Sequence, residues 1–124
     1  MSKPRPKHLD LTKIRFPIMA IVSGMHRISG AVLFLFIPLL LWLLQQSLES
    51  PQTFAAYKSA LAHPVMKLVL LGLLWGYLHH FCAGIRHLAL DLDIGTDLRP
   101  ARASSWAVLA VSIGFTLAAG VALW

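Results

Sequence analysis

Long apolar runs alternate with short polar segments along this chain, and three of the runs are candidates to cross a membrane. The first block, Ala31 to Leu44, has 14 residues, whereas a helical span needs about 20. Extending it back through Gly30 to Met25 supplies the length. The pattern therefore predicts a helix from about Pro17 to Gln45, since proline is tolerated in a first turn. Pro38 is expected to kink it or loosen its hydrogen bonding. Gln45, Gln46, Ser47, Glu49, Ser50 and Pro51 close it. A second span runs from Pro64 to about Arg86, with Lys67 able to snorkel to the surface and Arg86, His87, Asp91 and Asp93 marking its exit. The third, from about Ser104 to Trp124, has no charge, and Trp106 and Trp124 stand near its ends as interfacial anchors do. Glu49 to His63 and Asp91 to Arg102 are expected to be short polar connections.

The expected fold is an all-α integral membrane protein with three transmembrane helices at about 17–45, 64–86 and 104–124. They form one anchor domain over residues 1–124, preceded by a tail at 1–16. Composition agrees: 57% of the 124 residues are hydrophobic and 13% charged, against about 25% charged in soluble domains. The formal charge of +6 is compatible with nucleic acid or a membrane surface, and the flanking apolar runs decide for membrane lipid and against nucleic acid. The single cysteine, Cys82, excludes a disulfide framework.

Lysines and arginines set an expected orientation. Nine of them (Lys3, Arg5, Lys7, Lys13, Arg15, Arg27, Arg86, Arg99 and Arg102) fall on the side of the N-terminus and the second connection, against Lys58 and Lys67 on the other. That asymmetry places the N-terminus in the cytoplasm. No signal-peptide cleavage pattern follows the first apolar run, and nothing looks like an organellar transit peptide. A multi-pass protein of a bacterial inner membrane is expected.

Two polar clusters then share one leaflet. In the second span Gly72, Gly76, His80 and Gly84 recur every fourth residue, so they share a helix face. This nearly bare backbone carries one imidazole. Ionisable groups within a span are costly and commonly functional, and a flat groove with one metal-binding nitrogen suits a planar macrocycle such as haem. Tight helix packing through small residues, with His80 hydrogen-bonded to a neighbour, is the alternative. A low-spin haem needs two axial ligands. His79 points about 100° away from His80, and His87 lies roughly 10 Å further along the axis, so the second ligand is expected from another chain. In the first span Ser23, Arg27 and Gly30 share a face beside His26. A hydroxyl and a guanidinium fork could grip a quinone carbonyl or a haem propionate, or act as a packing serine and an arginine anchor.

These residues carry a family resemblance. Ser23-Gly24-Met25-His26-Arg27-Ile28-Ser29-Gly30 resembles the S-x-x-H-R-x-[ST]-G signature of the cytochrome b membrane-anchor subunits of succinate dehydrogenase. His80 to Asp91 resembles their second signature, H-x-x-x-G-[aliphatic]-R-H with an aspartate four residues on. The tail, with Arg5-Pro6, Leu9-Asp10-Leu11 and Ile14-Arg15-Phe16-Pro17, is also similar. Lys7 and Leu90 depart from the usual pattern without touching the polar chemistry.

The resemblance implies a subunit of a heteromeric helix bundle, not an enzyme by itself. It implies one haem b shared with a second small membrane-anchor subunit and a ubiquinone site. It also implies attachment of an iron–sulfur subunit and a flavoprotein subunit at the cytoplasmic face. By the resemblance His80 is an axial ligand of the haem iron, Ser23 and Arg27 help bind quinone, and His26 and Arg27 lie near the haem propionates. Two other readings stay open: the anchor of a menaquinone-linked fumarate reductase, and a purely structural three-helix anchor.

Overall fold

The computed structural model describes residues 10–124, which form four helices in chain order. These are α1 (Ile18–Glu49), α2 (Pro51–Ala62), α3 (Pro64–Asp91) and α4 (Leu98–Leu123). Helices α1, α3 and α4 are long and apolar enough to cross a membrane, which gives the expected all-α, multi-span architecture. The tail positions Lys3, Arg5, Pro6, Lys7 and Leu9 lie outside the described residues.

Two features differ from the expected layout. The long helices overrun the apolar runs: α1 continues unbroken through Pro38 to Glu49, α3 continues to Asp91 and α4 already begins at Leu98. At 32 residues, α1 measures about 48 Å, more than the ~30 Å of a hydrocarbon core, so its polar last turns extend into the headgroup zone. The segment from Glu49 to His63, expected as a polar connection, is mostly the helix α2. Ser50 starts it with a capping box: its hydroxyl accepts from the Thr53 amide at 3.1 Å, and its own amide donates to the Thr53 hydroxyl at 3.0 Å. That arrangement satisfies two amides that a helix start otherwise leaves free, and Pro51 fits the first helical position.

Helix α3 ends in a tight reversal. The Ile94 amide donates to the Ala89 carbonyl at 2.9 Å and the Asp93 amide to the Leu90 carbonyl at 3.0 Å. Asp93 adopts φ 59° and Gly95 φ 76°. This is the left-handed helix stop usually given to glycine, for which aspartate is among the tolerated residues. It turns the chain directly into α4.

Helix α3 packs against both α1 and α4. Its inward stripe is His79, Ala83 and Arg86; α4 contributes Ala101, Ser105, Val108 and Ser112, and α1 contributes Val22 and Ser29. Small residues let helices approach closely where lipid supplies no hydrophobic drive for association. The serines satisfy themselves against their own helix, Ser105 donating to the Ala101 carbonyl at 2.8 Å and Ser112 to that of Leu109 at 3.2 Å. Large apolar side chains such as Phe34, Leu35, Leu88 and Phe115 face outward, as they do where lipid is the solvent. Ahead of α1, the Thr12 hydroxyl and amide donate to the Asp10 carboxylate, which holds that carboxyl below its ordinary range.

Candidate functional site

The crossing of α1 and α3 gathers three imidazoles. The rings of His26 and His80 stack with centroids 4.2 Å apart and planes 12° from parallel, and the His87 ring centre lies 4.9 Å from that of His26 at a 44° tilt. Glycine makes this approach possible. A Cβ at Gly30 would stand 2.7 Å from Cε1 of His80, and one at Gly84 would stand 3.7 Å from Nε2 of His26. Each helix thus offers bare backbone where the other presents a ring.

His80 is held by α1. Its Nδ1 lies 3.0 Å from the carbonyl oxygen of His26 and 3.3 Å from the Ser29 hydroxyl, which itself donates to that carbonyl at 2.9 Å. A carbonyl only accepts, so Nδ1 carries the proton and donates. Nε2 is then the ring nitrogen left free of that bond. Metal-bound histidines are commonly oriented in this way, one ring N–H on a backbone carbonyl fixing the tautomer of the other nitrogen. The donor set and the glycine cradle therefore fit an imidazole presented to a planar metal group.

The rest of the glycine face is open. A Cβ at Gly72 or Gly76 would meet nothing within 4 Å. Both glycines border a cavity of about 170 Å³ between α1 and α3, together with Ile28, Ser29, Trp75 and His79. His79, expected to turn away from the glycine face, is 1% exposed and lines this cavity beside Gly72 and Gly76. Among the described residues neither of its ring nitrogens has a hydrogen-bond partner, nor has Nε1 of Trp75.

Ser23 and Arg27 sit on the adjoining face of α1. Ser29, Ser47 and Ser105 each spend their hydroxyl on a carbonyl in the preceding turn. The half-buried Ser23 hydroxyl makes no hydrogen bond among the described residues, and the exposed Arg27 makes no ion pair among them. Both side chains are thus available to something outside the chain. The histidine cluster is assembled within the chain, whereas the Ser23–Arg27 pair is not closed by it.

Arg86, expected to mark the exit of the second span, is 8% exposed and turned toward α4. Its Nε donates to the Ser104 hydroxyl at 2.9 Å and its Nη2 to the Ala101 carbonyl at 3.4 Å. Sequence reasoning also passed over Ser29 as a partner of His80. Its position three residues after His26 was a usable signal, because that spacing shares a helix face.

Together these features define a class: a multi-span helical membrane subunit that keeps a backbone-oriented histidine at a helix crossing and leaves polar groups at one edge unsatisfied. The family described as succinate dehydrogenase/fumarate reductase transmembrane subunit matches residues 1–119. The succinate dehydrogenase cytochrome b556 subunit of Coxiella burnetii is 43% identical over the whole of both chains. That of Paracoccus denitrificans is 34% identical over 90% of this chain and 85% of the relative. The Rickettsia felis counterpart is 27% identical over 94% and 89%. The chain belongs to the succinate dehydrogenase/fumarate reductase transmembrane subunit family, and is thus a membrane subunit of such a complex rather than its catalytic one.

Proposed function

We propose that this chain is the haem b-bearing anchor through which electrons from succinate oxidation reach ubiquinone. The observation that carries the reading is the bond from His80 Nδ1 to the His26 carbonyl at 3.0 Å, which leaves Nε2 as the nitrogen that would hold a haem iron. The relatives named above are cytochrome b556 subunits of succinate dehydrogenases, which favours the succinate-oxidising direction over fumarate reduction.

Bound haem b supplies a one-electron carrier within the membrane. His80 orients toward it through α1, and His26 and Arg27 lie at the edge suited to its propionates. The second small anchor subunit that the family resemblance implies would provide the other imidazole for the haem iron. Ser23 donates its hydroxyl hydrogen bond to one quinone carbonyl, and Arg27 stabilises negative charge developing on the ring as two electrons and two protons convert quinone to quinol. The iron–sulfur and flavoprotein subunits dock at the cytoplasmic end, where the nine-to-two excess of cations also places the N-terminus.

The test compares His80→Ala with His79→Phe in the purified complex by reduced-minus-oxidised spectra. Loss of haem b, or a changed spin state, is expected in the first variant only. An unaltered low-spin spectrum and midpoint potential in His80→Ala overturns the reading.

A further inference from the structure

Arg86 is a buried cation without a counter-ion. It lies between α3 and α4, and among the described residues the only ion pair is Lys13 with Asp10. Asp91, Asp93 and Asp97 of the neighbouring turn are exposed, and none of them pairs with it. Its two hydrogen bonds go to neutral oxygens, and Nη1 makes none among the described residues. An arginine within the membrane boundary normally pairs or marks a site. A guanidinium offers five donors in a planar fork suited to phosphate and carboxylate.

The same arginine lines a cavity of about 270 Å³. The other polar contribution comes chiefly from Ser104, while Ile85, Ala89, Ile94 and Pro100 make an apolar wall. The pocket is amphipathic: a cation on one side, aliphatic surface on the other, at the end of the bundle that also carries Arg99 and Arg102. A partner's carboxylate would satisfy the charge but has no use for the aliphatic wall. A phospholipid satisfies both, its phosphate on the fork and the start of an acyl chain along Ile85 and Ala89.

We propose that the α3–α4 pocket binds one anionic phospholipid, with Arg86 holding the phosphodiester and Ser104 fixing the guanidinium as its acceptor. Arg86 is then a lipid-binding residue rather than only a strut between helices. The surface potential of an anionic leaflet adds to the attraction at this cation-rich end.

The test uses the detergent-purified complex, delipidated and then titrated with dioleoylphosphatidylglycerol or dioleoylphosphatidylcholine, with bound lipid counted by native mass spectrometry. The native complex is expected to retain the phosphatidylglycerol in preference to the phosphatidylcholine. Arg86→Gln should weaken that retention about tenfold, the loss of charge-assisted hydrogen bonding to an anion, and Arg86→Lys should restore part of it. Because Arg86→Gln can also disturb the helix pair, Ala89→Phe provides a second route: it fills the pocket and leaves the bonds of Arg86 to α4 in place. Loss of retention in Ala89→Phe supports the site. Equal retention of both lipids by the native complex, or undiminished phosphatidylglycerol in Ala89→Phe, overturns it.

Discussion

The two ends of the α1–α3–α4 bundle are built on different principles. At the end that holds His26, His80 and Arg86, polar side chains bond across helices, His80 to the α1 backbone and Arg86 to α4. At the opposite end a cavity of about 310 Å³ is walled by Leu61, Leu70, Leu71, Leu74 and Trp124. The main polar contact there is Lys67, whose Nζ donates to the Leu123 carbonyl at 3.3 Å and lies 5.1 Å from the Trp124 ring centre. One end is specified by hydrogen bonds between helices, the other mainly by half-exposed apolar contact. Substitutions should be costly at the first, through function, and mild at the second.

The largest expected effect tests whether the open polar edge of the first end does chemistry. Arg27→Leu should lower the rate of ubiquinone reduction about a hundredfold, because a donor aimed at developing charge in a dry site contributes roughly 3 kcal/mol. Succinate oxidation by an artificial dye that accepts electrons upstream should survive. Normal ubiquinone kinetics in this variant would reduce Arg27 to an anchor and erase much of the contrast. Gly30→Ala comes next. The added methyl must displace a ring that α1 holds in place, and overpacking of this kind costs about 1–3 kcal/mol. The expected readout is a shifted haem midpoint potential or weakened haem retention, with unchanged assembly of the complex. Smallest is Lys67→Ala, which removes an exposed cation–π contact worth about 0.5–1 kcal/mol. Thermal unfolding of the complex should move by no more than that, with haem spectrum and quinone kinetics unchanged. A large loss of activity there would show that the leucine end is not passive.

The sequence already carried the architecture. Three apolar runs of spanning length became α1, α3 and α4, and the four-residue spacing from Gly72 to Gly84 lies within α3. The Ser50-Pro51 start of α2 was missed, being expected to close the first span, although a capping box with proline at the first position needs no tertiary information. The rotation of each span about its axis was not legible. A soluble helix shows its inner face by being apolar there, whereas spans in lipid are apolar all round, so pattern does not say which side meets a neighbour. Hence the sequence set Arg86 at the exit of its span without showing that it faces α4, since one helical position, about 100°, turns a side chain from a neighbour to lipid. The bond between His80 and His26 joins residues 54 apart in sequence. It depends on the axial register of α1 against α3, which only packing of the assembled helices defines.

The group that orients His80 is a main-chain carbonyl, so no substitution at position 26 can remove it. The alignment of the ligand is thereby tied to how far α1 slides along α3, in the manner of a vernier scale. On the proposed reading of His80 as a haem ligand, changes at remote contacts such as Val22 against Ala83 would shift its alignment while leaving every one of its immediate neighbours intact.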